Sequence, residues 1–337
     1  MRNRTREFFK TVPERFGALH FYGKGSASFF PELFETAVEF TKAPWDFMEL
    51  RRHRMVIGYM PSGCLDGARQ SDIRRISGDV CARCMWEHDP VVCSDARNAA
   101  WGRRVESLCD WIGIEGDWGV GERTGDRYVR QAVVTTLDPE MWRPKLDIPE
   151  DMRIEKSPGE LVIYHGVGND RIRREGARDI KGTGAVLAAV EKLREEGHAV
   201  RIVFATDIHS ARVRFLQAQA DIVVDQLNYG RYGANARECL MLGLPVVGYL
   251  DARQDAPLPP ARQIEECPIV QADIHSVQNV LRGLILDSRA REKAAKAGRK
   301  FAVKWHGAMA CAERYEKVID RVRAGLAPDS PDLYPSP

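Results

Sequence analysis

The sequence has no long apolar run and almost no net charge. Its longest apolar stretches, such as Leu244–Leu250, are far shorter than the roughly 20 residues that a membrane-spanning helix requires, so we predict no transmembrane segment. Fifty Lys and Arg residues oppose 48 Asp and Glu residues, which leaves a formal charge of +2. Without a global positive field the chain is not expected to bind nucleic acid, and any basic site must be local.

The amino terminus lacks the apolar segment of a secretory signal. It begins MRNRTREFFK and continues with Thr11, Val12 and Pro13 rather than with an apolar region. We therefore predict no signal peptide and expect a cytoplasmic location, with peripheral contact at a membrane surface left open.

Several common catalytic motifs are also missing. No Gly-x-Ser-x-Gly, Walker or His-Glu-x-x-His sequence occurs, which argues against serine hydrolases, NTPases and zinc proteases of those types. No Gly-x-Gly-x-x-Gly sequence follows a strand, and Gly119, Gly121 and Gly125 have the wrong spacing for one. A dinucleotide-dependent oxidoreductase is therefore disfavoured.

Cysteine is scarce but unevenly placed. Eight cysteines in 337 residues are too few for a disulfide scaffold. Four of them, Cys64, Cys81, Cys84 and Cys93, fall in a polar segment with little periodicity. Thiolates at this spacing can complete a tetrahedral structural Zn²⁺ site. A redox pair, or buried cysteines without a chemical role, are the alternative interpretations.

Short β-branched runs alternate with helical patterns through the second half of the chain. Strands are predicted at 161–164, 200–205, 221–227, 245–250 and 268–271, and helices at 183–197, 210–219, 234–242 and 289–323. A further helix is predicted to begin at Asp273. Strands that are apolar on both faces and separated by helices predict a parallel sheet covered on both sides, that is, a doubly wound α/β domain.

The first half shows weaker patterns, with strands predicted at 18–22, 55–59 and 133–136. Three prolines stiffen the segment from 137 to 151, which is typical of a linker. We therefore predict an N-terminal domain at 1–137 with a Cys-rich insertion, a linker at 138–156, a C-terminal domain at 157–325, and a Pro-rich disordered tail at 326–337.

One constellation in the second half points to phosphate and ribose. A loop containing Gly230 and Gly233 follows a predicted strand and opens a helix that carries Glu238. Glycines at a helix start allow a phosphate close to free backbone N–H groups, and a carboxylate one turn further can accept two hydrogen bonds from a ribose diol. The alternative is a simple tight turn followed by a solvated Glu238.

A second, basic element lies upstream. Arginines 171, 173, 174 and 178 and Lys181 follow the first strand of the same domain, at the edge of the sheet where open α/β folds bind ligands. His165 stands at the end of that strand and either faces the ligand or is an ordinary loop histidine.

These motifs resemble the donor domain of family 4 (group 1) glycosyltransferases with the GT-B fold. The resemblance rests on Lys181-Gly182-Thr183 opening a helix, on Ala220–Val224, on Tyr232-Gly233 and Glu238, and on Gly243–Val247, and it covers about residues 157–325, including Trp305 and Tyr315. It implies a GT-B protein of two Rossmann-like domains, the N-terminal one short or incomplete.

The resemblance also implies roles for individual residues. Lys181 corresponds to the phosphate-binding lysine of the family, Gly233 and its neighbours to the diphosphate loop, and Glu238 to the ribose-binding glutamate. Lys181 and Glu238 are thus the expected catalytic-site residues. The residues predicted to contact the nucleotide are His165, Gly166, Arg174, Gly182, Gly230, Tyr232, Gly233 and Ala234.

The implied activity is the retaining transfer of a sugar, of hexosyltransferase type and without a catalytic metal, from a nucleoside diphosphate-sugar to a glycan, lipid-linked or small-molecule acceptor. The sequence departs from the family at three places. The arginine that accompanies the family's lysine has no clear counterpart, although the arginines at 171–178 are candidates. Gly230 holds the position of the first of two paired glutamates, and Met60 or Pro61 falls where the family has a histidine. A catalytically inactive nucleotide-sugar-binding or scaffold protein of the same fold is the alternative.

Overall fold

A computed structural model describes residues 11–22 except 13, 50–61, 71, 74, 79–87, 89, 93–114, 127–129, 136–168, 170–175, 179–251 and 262–334. The predicted strand at 133–136 and Cys64 fall largely or wholly outside these residues. Within this part of the chain, no helix combines the length and apolar character needed to cross a bilayer.

The N-terminal half forms a parallel sheet in sequential strand order. Its described strands are β1 (Ala18–Tyr22), β2 (Val56–Met60), β3 (Trp111–Gly113) and β4 (Tyr128–Val129), and its described helices are α1 (Asp79–Arg83) and α2 (Asp95–Leu108). β1 and β2 confirm the two strands predicted there. β3 and α2 were not predicted, because three residues are too few for periodicity and α2 is rich in polar side chains.

The C-terminal half is a five-stranded parallel sheet among the described residues, in the order β6-β5-β7-β8-β9. The strands are β5 (Leu161–Val167), β6 (Val200–Thr206), β7 (Ile222–Val224), β8 (Val246–Gly248) and β9 (Val270–Gln271). The helices are α3 (Asp170–Glu175), α4 (Thr183–Glu195), α5 (Ser210–Gln217), α6 (Ala234–Met241), α7 (Arg262–Glu265), α8 (Val277–Leu286), α9 (Ser288–His306) and α10 (Ala308–Arg323).

Helices cover both faces of this second sheet, as predicted. Buried residues of α4 and α8 pack with Ile163, Ile222 and Val224 on one face. Buried residues of α6 and α9 pack with Val162 and Val223 on the other. The strand order reverses between β5 and β7, which makes the carboxyl ends of these two strands the place where such folds bind ligands.

The terminal helix pattern is divided in two, whereas a single helix was predicted over 289–323. α9 ends at His306, and Gly307 takes an extended conformation before α10 begins. Leu137 fills the break: its N–H donates to the His306 carbonyl oxygen at 2.8 Å, and its own carbonyl oxygen accepts from Ala308 at 3.0 Å. The chain entering the second domain is thus hydrogen-bonded to the chain leaving it.

The last helix returns to the first domain. Val318 of α10 is buried in a cluster with Val56 and Trp111 of the N-terminal sheet. The ring of Tyr315 meets that of Trp111 edge-on, with centroids 5.6 Å apart. α10 therefore contacts both α9 of the second domain and the first sheet.

The chain beyond α10 is ordered up to Tyr334, in place of the disordered tail predicted at 326–337. Residues Pro331–Leu333 form a 3₁₀ turn, and Leu333 is buried in the cluster that contains Trp111. The ring of Tyr334 lies over Trp305 at a centroid distance of 6.4 Å. Lys317 and Arg321 of α10 also donate hydrogen bonds to carbonyl oxygens of this segment, those of Asp332 and Ala327, so apolar and polar contacts together dock it.

Candidate functional site

A cavity of about 510 Å³ opens at the carboxyl ends of β5, β6 and β7. Its walls include Gly166, Arg173, Lys181, Ala234 and Glu238, which come from four separate segments of the chain. The location is the strand-order reversal of the sheet, and the volume lies within the range of small-molecule sites.

The amino end of α6 forms one wall. α6 begins at Ala234 after Gly233, and the first hydrogen bond within the helix runs from the Arg237 N–H to the Gly233 carbonyl oxygen. The N–H groups of the first turn precede any acceptor in the helix, and Gly233, Ala234 and Asn235 line the cavity. This wall carries the partial positive charge that binds anions.

Glu238 lies one turn further along α6 and also faces the cavity. Its Oε2 accepts a hydrogen bond of 2.7 Å from Nε2 of Gln217. Burial raises the pKa of Glu238 above its ordinary value, while the Gln217 hydrogen bond acts against this. The structure therefore places the predicted phosphate-binding loop and the predicted ribose-binding carboxylate in one cavity.

Lys181 lines the same cavity, but its ammonium group already has a buried partner. Lys181 Nζ forms an ion pair with Asp225, whose side chain is 1% exposed. Asp225 also accepts from the Gly233 N–H at 3.1 Å and from Asn235 Nδ2 at 3.2 Å. Burial raises the pKa of Asp225, yet Lys181 and these hydrogen bonds outweigh it and hold the pKa below its ordinary value.

The basic cluster contributes Arg173 to the cavity wall. Its Nε donates to the Gly168 carbonyl oxygen at 2.8 Å, which holds the guanidinium at the end of β5. The side chain of Arg174, predicted to contact the nucleotide, lies outside the described residues.

His165 is not at the cavity wall. β5 extends to Val167, so His165 lies within the strand, on the face opposite Tyr164. Its two ring nitrogens lie 3.0 Å from the Val224 carbonyl oxygen and 3.1 Å from Thr183 Oγ1. Burial lowers its pKa to about 4, so the ring is neutral and joins β5, β7 and α4.

Tyr232 and Gly230 also lie away from the cavity wall. The Tyr232 hydroxyl is 3.0 Å from Nε2 of His306, and its ring packs edge-on against Phe301. Gly230 has φ +66° and supplies the left-handed turn of the loop, and its carbonyl oxygen accepts from Asp251 N–H at 3.0 Å. Tyr232 and Gly230 therefore support the loop on the side away from the cavity, whereas Gly166, Gly233 and Ala234 line the cavity.

Gly182 sets the start of α4 and hence the position of Lys181. It has φ +67°, and a Cβ there would lie 2.8 Å from Ile274 Cγ2 and 2.9 Å from Leu227 Cβ. The Thr183 N–H donates to Asp179 Oδ1 at 3.1 Å, so Asp179 satisfies one backbone donor of the first turn of α4.

Gly182→Ala should lower the free energy of unfolding by at least about 1–2 kcal/mol. An L-residue is strained at positive φ, and the new methyl group would collide with the side chains of Ile274 and Leu227. Chemical denaturation measures this. Gly184→Ala is the matched control, since no atom lies within 4 Å of its Cβ position, and we expect it to be neutral or stabilising. Equal stability of the Gly182→Ala and wild-type proteins would contradict the requirement for glycine at this position.

A second cavity, of about 430 Å³, lies between the two halves. Val80 and Arg83 of α1 face Asn228, Tyr249 and His275, which follow β7, β8 and β9. Gly182, adjacent to Lys181, also lines it. The two cavities are therefore neighbours on either side of the α4 start.

The predicted zinc site stays a prediction. Cys81 lies on α1, Cys84 directly follows it, and Cys93 precedes α2. Within the described ranges, no three His, Cys, Asp or Glu side chains are grouped so that they could hold a metal ion. The fourth predicted ligand, Cys64, lies outside these ranges.

The sequence did not single out Asp225, Asn235 or Gln217. Asp225 fell inside a strand predicted to run to Leu227, whereas β7 ends at Val224. A carboxylate directly after a buried apolar run was the available signal, because that position is at the ligand-binding edge of the sheet. Gln217 carries no such signal, since only the packing of α5 on α6 brings it to the site.

Solved structures match nearly the whole chain at low sequence identity. Sucrose-phosphate synthase from Thermosynechococcus elongatus matches with a TM-score of 0.59 and 13% identity, over 96% of this chain and 78% of its own. Starch synthase IV from Arabidopsis thaliana, solved as a catalytic domain bound to ADP and acarbose, matches with a TM-score of 0.57 and 10% identity, over 95% and 77%.

HepE from Anabaena, solved in complex with UDP-glucose, matches with a TM-score of 0.51 and 10% identity, over 96% of this chain and 82% of its own. Two parallel-sheet α/β domains and these neighbours together decide the architecture. The chain has the GT-B fold. The predicted GT-B architecture is thus confirmed, while identities of 10% and 13% establish the fold alone. No protein-family model and no curated protein matches the sequence.

Proposed function

We propose that this GT-B protein transfers a sugar from a nucleoside diphosphate-sugar donor to an acceptor. The observation that carries the proposal is that the amino end of α6 and the carboxylate of Glu238 line the same cavity, one helical turn apart. A diphosphate at the helix end and a ribose diol at Glu238 would satisfy both. Two of the GT-B neighbours were solved with UDP-glucose or ADP.

In the proposed reaction the leaving diphosphate gains negative charge as the glycosidic bond to the sugar breaks. The α6 N–H groups and Arg173 at the cavity wall would stabilise that charge, and Lys181 adds a fixed ammonium group beside them. Glu238 would position the ribose and take no part in proton transfer. Retention of anomeric configuration, a hexosyl group and independence from a catalytic metal are proposed from the family resemblance.

We propose that the acceptor enters through the second cavity, between α1 and the loops after β7, β8 and β9. This cavity adjoins the α4 start that holds Lys181, so a group bound there would be near the donor phosphates. Both halves of the protein line this cavity, as expected for a reaction in which each half binds a different substrate.

A catalytically inactive nucleotide-sugar-binding protein is a second candidate, and two observations favour it. Asp225 forms an ion pair with Lys181, so its carboxylate offsets the positive charge of that lysine within the site. Position 230 is a glycine and therefore provides no carboxylate. The ion pair reduces the positive charge available to stabilise a departing diphosphate without preventing binding. A glycine at position 230 removes the contact with the donor sugar that the resemblance implies for a glutamate there.

Calorimetric titration with UDP, GDP and ADP tests the site. We expect at least one to bind wild-type protein, and Glu238→Ala to weaken it by about tenfold or more, because a charge-assisted hydrogen bond to the ligand is lost. Because the pKa of Glu238 is raised, binding should weaken on acidification sooner than for an ordinary glutamate.

Glu191→Ala is the matched control, because Glu191 is an exposed helix residue on α4. Unaltered binding by Glu238→Ala, or no binding by wild type, would overturn the proposed site. Donor turnover, measured as release of the nucleoside diphosphate, separates the enzyme from the inactive candidate.

A further inference from the structure

A buried hydrogen-bond network runs beneath the donor cavity and joins its two ends. Gln217, the last residue of α5, is fully buried, and its Nε2 donates to Glu238 Oε2 at 2.7 Å and to Asn235 Oδ1 at 3.1 Å. Asn235 in turn donates to Asp225, which holds Lys181. One chain of hydrogen-bonded side chains thus connects the lysine at the phosphate end with the carboxylate at the ribose end.

Gln217 is the residue that determines where the Glu238 carboxylate points. Its amide makes the one hydrogen bond that this carboxylate receives from any described residue. The bond uses Oε2, which leaves Oε1 to accept from a ligand in the cavity. Without Gln217 the half-buried side chain could rotate among several rotamers, and holding one of them is what binding requires.

The amide of Gln217 is retained at a cost. Its Oε1 is buried and has no hydrogen-bond partner within the described part of the chain. A buried polar atom left unsatisfied destabilises the folded state, and an apolar residue of the same length would avoid this. The donor half of the amide is used on Glu238 and Asn235, and this geometry favours a role in orienting Glu238.

We propose that Gln217 is a positioning residue of the donor site, which presents Glu238 to the ribose hydroxyls and ties it, through Asn235 and Asp225, to Lys181 at the diphosphate end. The inference rests on the proposed function, since it concerns the same nucleotide. It adds that recognition of ribose depends on a residue that does not touch the ligand.

The test compares a ribonucleoside diphosphate with its 2′-deoxy counterpart, using whichever of UDP, GDP or ADP binds wild type most tightly. Wild type should prefer the ribonucleotide by about tenfold, the value of one charge-assisted hydrogen bond. Gln217→Met keeps the side-chain length but removes the hydrogen-bond donor. It should weaken binding of the ribonucleotide by a similar factor and bring the ratio of the two affinities close to one.

Gln219→Met is the matched control. Gln219 lies two residues further on and makes comparable hydrogen bonds, from Nε2 to the Met152 carbonyl oxygen and to Oε1 from the Ile154 N–H, but these face the linker. We expect its loss to lower stability and to leave the ribose preference at the wild-type value. A general structural defect would weaken both nucleotides equally and preserve the ratio.

If folded Gln217→Met keeps the wild-type ratio of ribonucleotide to deoxyribonucleotide affinity, the inference is overturned and the proposed function is unaffected. Absence of binding by wild type would overturn both. Should Gln217→Met fail to fold, Gln217→Glu provides the second measurement, because its new carboxyl group can donate to Glu238 only when protonated. Its ribose preference should be lost at neutral pH and return on acidification, and a preference independent of pH would contradict the role.

Discussion

Asp225→Ala should lower the free energy of unfolding by about 3–5 kcal/mol, because it leaves the Lys181 ammonium buried without its counter-ion. The same substitution removes the acceptor of the Gly233 N–H and of Asn235 Nδ2 at the start of α6. Guanidinium denaturation followed by tryptophan fluorescence measures the loss. Glu292→Ala, which breaks an exposed ion pair with Lys296, is the control and should show no measurable loss.

The double variant Lys181→Met/Asp225→Asn distinguishes an unpaired charge from a general packing defect. It removes both charges and keeps an oxygen acceptor, so it should be more stable than Asp225→Ala. A double variant as unstable as the single one would show that the ion pair is not the source of the loss.

The same ion pair should make the free energy of unfolding depend on pH. The folded-state pKa of Asp225 lies below its ordinary value of 3.8. Its contribution to stability is therefore fully present above the unfolded-state pKa and is lost as the pH falls through the folded-state value. Between about pH 5 and pH 2 the wild type should accordingly lose more stability than Asp225→Asn, which has no proton to gain.

Trp111→Ala should also cost about 3–5 kcal/mol, because it removes a fully buried aromatic side chain and leaves a cavity. Trp111 lies between Gly58 of β2, where a Cβ would collide with the indole ring, and Tyr315 of α10. The loss should therefore loosen α10 from the first sheet. Urea denaturation gives the free energy, and limited proteolysis reports the exposure of α10.

Phe16→Ala is the control for Trp111→Ala. Phe16 belongs to the same half and is 60% exposed, so its removal should change stability by no more than about 0.5 kcal/mol. A loss of that small size for Trp111→Ala would mean that α10 is not held by this cluster.

The architecture of the C-terminal half was predictable because its signals are local. Apolar runs that become β5 to β9 alternate with helical periodicity, and each pattern is complete within about 15 residues. The glycines at 230 and 233 and the carboxylate at Glu238 lie within one strand–loop–helix unit. Gly233 and Glu238 line one cavity because the strand–loop–helix connection itself brings them together, whereas Gly230 shapes the turn behind it.

His165 and Tyr232 show where such local reasoning ends. His165 was placed at the end of a strand, but β5 continues for two more residues and alternation turns the ring into the core. Tyr232 stands in a loop predicted to bind the nucleotide, yet its hydroxyl meets His306, 74 positions away. A side chain's direction in a loop depends on partners that no short pattern contains.

Local periodicity and turn chemistry therefore determined the parallel sheet, the glycine loop and the candidate Glu238. Long-range packing alone decided that Lys181 would be paired with Asp225, that Gln217 would orient Glu238, and that α10 would return to the first sheet. The physical reason is that secondary structure follows the backbone's preferences over a few residues. The partners of a buried polar or aromatic group depend instead on which distant segments share its neighbourhood.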